Sequence, residues 1–211
     1  FQQVVTKFKK SPYVAESQLA LAEFFFMKDL FFAAQKKYEE ILAMAAGKKV
    51  HNYALYKLAW TFYNLGGADA ANYRKSTDTF KKVIGNLEDK TARSEIEFRD
   101  QAMKDIVISL AEVPNGFEET RDYFNRLGGK ALMMKMLDRL AKYYLSQDKD
   151  EKAIAIFRYF IQLDPWAPIV PDHLDMIVDS LKRIGDRRRL DKEQRSIIAL
   201  FSPQGEWVKK N

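Results

Sequence analysis

Residues 137–165 read LDRLAKYYLSQDKDEKAIAIFRYFIQLDP. Leu137, Leu140 and Tyr144 recur at helical spacing, and Ala153 and Phe157 do so again after the polar break SQDKD. Two helices joined by so short a link must fold back on one another. The small residues Ala141 and Ala153 then fall where the two helices approach closely, and Tyr144 and Phe157 fill the space beside them. Asp164–Pro165 ends the second helix, because proline removes a backbone donor and clashes with the preceding turn.

The same pattern recurs along the chain. Leu21–Ala22, Phe25, Ala34 and Tyr38 reproduce it without the closing proline. Leu55, Leu58–Ala59, Phe62, Ser76 and Phe80 reproduce it with the second helix delayed by the insert GGADAANY at 66–73. Val107–Ile108, Ala111, Thr120 and Phe124 give a weaker version after a polar approach over 87–99. Helical periodicity predicts eleven helices, at 1–9, 13–28, 30–46, 51–65, 72–86, 93–113, 117–127, 130–146, 149–163, 170–184 and 187–201.

The spacing in 137–165 resembles the tetratricopeptide repeat (TPR), a helix–turn–helix unit of about 34 residues, with Leu137 where the family pattern has tryptophan. The resemblance implies an all-α, right-handed solenoid of hairpins forming a single domain over 1–211. Repeats would lie at 13–46, 51–86, 93–127 and 130–165. A partial repeat at 1–12, closed by Ser11–Pro12, precedes them; a divergent hairpin at 170–201 and a tail at 202–211 come after. The chain opens on Phe1 within a helix-like stretch and reads as a portion of a longer protein. In the family, the first helix of each hairpin lines a concave groove that receives a peptide or helix. The resemblance therefore implies a non-catalytic interaction scaffold with a protein or peptide partner. Residues 53–66, YALYKLAWTFYNLG, are similar to segments of bacterial TPR proteins in cell-envelope assemblies, which points to a periplasmic or envelope setting.

Composition agrees with a helical binder and argues against chemistry. The 211 residues include 47% hydrophobic residues, enough for a core, but only 9 Gly and 6 Pro to build turns. With no cysteine and two histidines, His51 and His173, thiolate chemistry is excluded and metal ligation is poorly provided for. No glycine-rich phosphate loop, nucleophile elbow or histidine pair with metal spacing occurs. Neither a cofactor nor a small-molecule substrate is expected, and no apolar run reaches the ~18 residues of a membrane span. The net charge of +6 is dispersed over lysine pairs, with one cluster at 187–189. That dispersal favours solvated helix faces over nucleic acid, and leaves an anionic polymer as the lesser alternative.

Candidate binding residues fall on the predicted first helices. In HNYALYKLAWTFYNL (51–65), Leu55, Leu58, Ala59 and Phe62 make one face, while Tyr53, Tyr56, Trp60 and Tyr63 align on another, with Asn64 beside them. Tyrosine and tryptophan combine rigid area with a polar tip, the profile of an interface anchor. The competing reading of this stripe is packing between repeats. The equivalent line on the preceding first helix carries Glu23 and Phe26, and a later one carries Asp172, Asp175 and Asp179, which together could accept a basic segment. Family members that clamp a terminal carboxylate use Lys and Asn at groove positions. Leu19, Glu23, Tyr56 and Trp60 stand there instead, so an apolar or weakly basic segment fits better. An alternative role is a structural subunit of an envelope assembly that uses its convex faces.

Overall fold

The structure, a computed structural model, describes residues 13–44 and 47–210. The partial repeat predicted over 1–12 lies outside the described residues. Among those described, every regular element is a helix. These are α1 (Val14–Met27), α2 (Phe31–Leu42), α3 (Lys48–Leu65), α4 (Ala71–Asn86), α5 (Arg93–Leu110), α6 (Gly116–Ser146), α7 (Asp150–Leu163), α8 (Val170–Ile184), α9 (Arg187–Phe201) and the short α10 (Glu206–Lys210). Among the described residues these are ten elements, against eleven helices expected over the whole chain. The helices predicted at 117–127 and 130–146 are both present within α6, on either side of Gly128 and Gly129, where the backbone leaves the helical region. Gly129 has φ 72°, a conformation that side chains disfavour, so this pair divides α6 into two limbs. The tail contributes α10 in addition, and α3 starts ahead of His51, which lies inside the helix rather than at its boundary.

The chain divides into two compact units, the first running to Pro114 and the second from Asn115. Within each, a helix packs chiefly on its neighbours in sequence; in the first unit α3 also reaches back to α1. This is the nearest-neighbour stacking of helical hairpins. The pattern positions are its core: Ala22, Ala34, Tyr38, Ala59, Phe80, Leu137, Leu140, Ala141 and Ala153 are all inaccessible to solvent. Small residues let the backbones close. The Ser76 hydroxyl donates to the Ala59 carbonyl at 2.8 Å, and so accepts from the Ser109 hydroxyl at 2.7 Å. Three successive helices are thereby tied at one level.

The turns repeat as well as the cores. Asp29 and Asp148 both adopt left-handed backbone, φ 56° and 54°, at the same place relative to Ala22 and Ala141. In each, the residue next after the left-handed one donates back across the turn, Leu30 N–H to Phe25 O at 3.0 Å and Lys149 N–H to Tyr144 O at 2.9 Å. Both bonds satisfy carbonyls that the helix end leaves open. Two distant stretches of chain thus share a helix stop in geometry as well as in residue pattern.

Candidate functional site

Helix α3 has no polar face broad enough to be its solvated side, so it must be covered on most of its surface. Leu55, Leu58, Ala59 and Phe62 are buried in the core that α3 shares with α2 and α4. The second stripe, Tyr53, Tyr56, Trp60 and Tyr63, is half-buried along its length. Its rings are in contact with other helices as well as each other. Tyr56 meets Phe80 of α4 at 5.7 Å between centroids and Phe98 of α5 at 5.2 Å, both edge to face. Trp60 meets Phe80 at 5.7 Å and Tyr63 at 5.5 Å, and Tyr63 meets Tyr73 at 5.6 Å. Gly66 makes room there, since a Cβ at that position would lie 2.3 Å from the Tyr73 ring. The stripe therefore joins the hairpins while keeping one flank accessible.

The hydroxyl tips are used as carefully as the rings. Tyr53 donates to Glu23 Oε1 of α1 at 2.7 Å, and Tyr56 donates to Asp105 Oδ2 of α5 at 2.6 Å. Burial, then the bond to Glu23, push the Tyr53 phenol up to about 12. Tyr56 is raised further by burial and by the Asp105 carboxylate, against a lowering contribution from the Trp60 side chain. Asp105 is itself buried and takes a second bond from Gln101 at 2.9 Å. Lys57 lies 4.1 Å from the centroid of Phe26, a cation–π contact. Burial lowers its pKa and the nearby Glu23 opposes that. Between α1, α3 and α5 a cavity of about 510 Å³ remains open, lined by Leu19, Tyr53, Leu87 and Phe98 and by the polar Asn52 and Glu95. Such a volume suits one large apolar side chain and its neighbours.

The structure brings Tyr53 to Glu23 and Lys57 to Phe26, and the stripe continues along α3 through Tyr56, Trp60 and Tyr63. Asn64 is exposed, its amide donating to the Trp60 carbonyl at 2.8 Å. Asp172, Asp175 and Asp179 belong to the second unit, on α8. Asp172 and Asp175 are exposed and Asp179 half-buried, and Lys182 bonds Asp179 at 2.8 Å and holds that carboxyl below its usual range. In the cluster 187–189, Arg189 is committed to Glu151, with Nη2 3.0 Å from Oε2. Sequence reasoning missed Phe98, because 87–99 reads as a polar approach, and Asp105, which reads as a solvated helix acid. The signal was their spacing on α5, where Phe98, Gln101 and Asp105 share a face.

His173, which the sequence left without a role, is buried against Phe157 and Phe160, with ring centroids 5.6 and 5.1 Å away. Its Nδ1 has no hydrogen-bond partner. Among the described residues, no helix is long and apolar enough to cross a membrane, and no three carboxylates or imidazoles are grouped to hold a metal.

No family model matches the chain, and no curated protein does. Among solved structures, it is similar to a Podosopora anserina protein described as a putative kinesin light chain with nearly identical TPR-like repeats. The identity is 15%, with 92% of this chain and 100% of that one covered and a TM-score of 0.44. A singly substituted form of that protein matches at 15% identity over 89% of this chain and 96% of that one, again with a TM-score of 0.44.

Proposed function

We propose that this protein is a non-catalytic scaffold that binds a peptide or helix of a protein partner on the face built by α1, α3 and α5. The observation that carries this reading is the open cavity between those helices, mostly apolar in its lining, with Asn52 and Glu95 as polar groups in it. An apolar side chain of the partner enters it. Tyr53, Tyr56, Trp60, Tyr63 and Phe26 supply the surrounding rigid area; Glu23 and Asn64 supply polar contacts. Asp172, Asp175 and Asp179 on α8 are a second contact in the same reading. The cell-envelope setting suggested by residues 53–66 is the compartment this proposal carries.

Peptides selected from a random displayed library against the full chain test it. Replacing Phe98 by Asp places a charge in the cavity wall and should weaken the selected peptides by about tenfold or more. Helicity by circular dichroism should be unchanged. Peptides that bind wild type and Phe98→Asp equally, or a selection that yields none, overturn the reading. Binding that instead collapses with salt and tracks the lysine pairs would favour the anionic-polymer alternative.

A second reading, a structural subunit held through other faces, is favoured by one feature. Met27, Leu30 and Phe32, at the turn between α1 and α2, are 73%, 52% and 74% exposed. Three large apolar residues together in one turn are a contact surface in search of a neighbour.

A further inference from the structure

The hairpin of α8 and α9 is covered differently from that of α1 and α2. In the first unit, the cleft between α1 and α2 is closed by α3, which packs on both. Among the described residues α9 is followed by the short α10, which packs on α9 and sets Trp207 against Phe201 at 5.0 Å. Between α8 and α9 a groove of about 600 Å³ stays open, floored by Leu174, Val178, Ile197 and Phe201. Its α9 edge carries Ile198, 71% exposed, and its α8 edge carries Asp175. Asp172 and Asp179 continue that edge at helical spacing on either side of Asp175.

We propose that this groove seats a short amphipathic helix of a partner protein, with its apolar stripe on Leu174, Val178 and Ile198 and basic residues along the flank facing Asp172 and Asp175. Two physical arguments select that occupant. The groove presents apolar walls and few polar groups, so an extended peptide lying in it would leave backbone donors and acceptors unpaired. A helix satisfies its own backbone and needs only a stripe at i, i+3 and i+7, the spacing that Pro171, Leu174 and Val178 present to it. Charge then fixes the flank. Asp172 and Asp175 form no ion pair with any described residue, on a chain whose net charge is +6. Across the groove, Asp191 and Arg195 are 3.8 Å apart and offset one another. On the α8 side Asp172 and Asp175 supply acidic charge, which Lys182 offsets in part at Asp175, and complementarity there selects a partner more than it adds affinity.

The inference deepens the scaffold reading, resting on it for the existence of a protein partner but not on the cavity of the first unit. The probe is a synthetic helical peptide of about 18 residues, long enough to hold some helix. It carries leucine at i, i+3 and i+7 and lysine on one flank, and is matched by a copy with glutamate in place of lysine. Binding to the full chain is read by fluorescence anisotropy. The lysine peptide should bind and the glutamate peptide should not. Ile198→Glu should abolish binding, and the double variant Asp172→Lys/Asp175→Lys should weaken it about tenfold. None of the three side chains is buried, so neither variant threatens the fold, and circular dichroism checks that. Equal binding of the two peptides, or full binding to Ile198→Glu, overturns the proposal. So does sedimentation showing a dimer that Ile198→Glu dissociates, since the occupant would then be a second copy. Loss with Tyr53→Ala but not with Ile198→Glu would place the peptide in the first unit, ending this inference while sparing the scaffold reading.

Discussion

The two units are held together by different chemistry. In the first, successive hairpins meet through aromatic rings whose hydroxyls end on carboxylates, Tyr53 on Glu23 and Tyr56 on Asp105. In the second, α7 is tied to α8 and α9 by guanidinium–carboxylate pairs. Arg183 Nη2 lies 2.7 Å from Asp150 Oδ1, Arg158 Nη2 lies 2.6 Å from Glu193 Oε2, and Arg189 pairs with Glu151. Arg183 and Arg189 hold the Asp150 and Glu151 carboxyls below their usual ranges. The difference has a functional reading. A tyrosine–carboxylate seam presents apolar area that a ligand can share, whereas an ion-pair seam is complete in itself and binds no further surface. Where the second unit is open, it is open as a bare apolar groove beyond its ion pairs.

The largest effect should come from the ring that supports the aromatic seam. Phe80 is inaccessible to solvent and touches both Tyr56 and Trp60. Phe80→Ala should cost about 3–5 kcal/mol in urea unfolding, since it opens a cavity in a packed core. It should also move the Trp60 fluorescence. A cost below about 1 kcal/mol would mean that the seam contributes area to a binding face but little stability, and would erase this side of the comparison.

The matching test in the second unit is Arg183→Met. Asp150 is only 5% exposed, and both Nε and Nη2 of Arg183 reach its Oδ1, at 3.0 and 2.7 Å. Removing the guanidinium leaves a buried carboxylate with too few donors. The expected loss is about 2–3 kcal/mol, below the value for a fully buried pair because the arginine is half exposed. Asp150→Asn combined with Arg183→Met should recover part of it, because the neutral amide tolerates burial. Loss from the single variant equal to that from Glu151→Gln, an exposed partner worth about 0–1 kcal/mol, would remove the distinction between inner and outer pairs.

Much of this was legible in the sequence because repeat packing is local. Alanines at crossings, rings beside them and breaks between them recur at fixed offsets, so spacing alone places Ala22, Ala59 and Ala141 in the core. The same locality hid the site. Tyr53 and Tyr56 were visible as a stripe on one helix, but their partners stand on other hairpins. Phe98 sits in a stretch rich in charge, where no period marks it as a neighbour of Tyr56. Asp105 reads as one more solvated acid until α5 packs it against α3. The acidic triad on α8 was legible as a line of charge, while the groove beside it depends on how α9 returns and could not be read from either helix alone.

The smallest effect separates the units by pH. His173 in the second unit is buried against two phenylalanine rings with Nδ1 unpartnered, and burial lowers its pKa against the opposing influence of Asp138 and Asp172. The first unit has only His51, in α3, among its described residues. In the unfolded chain an imidazole titrates near 6.5, so below about that pH the unfolded state takes up a proton that the folded state resists. Stability contributed by His173 is therefore full above that value and declines as pH falls through it toward the lower folded pKa. The acids held low by arginine act in the same direction but only at lower pH, as it falls through their own unfolded values. Thermal unfolding between pH 7.5 and pH 5.5, about the window in which histidine alone changes charge, should show a midpoint that falls with pH in wild type. His173→Phe keeps the ring packing and removes the titration, so its midpoint should be flatter over that window. An equal slope in both proteins would assign the pH dependence elsewhere and leave the buried imidazole an inert filler of the α7–α8 interface.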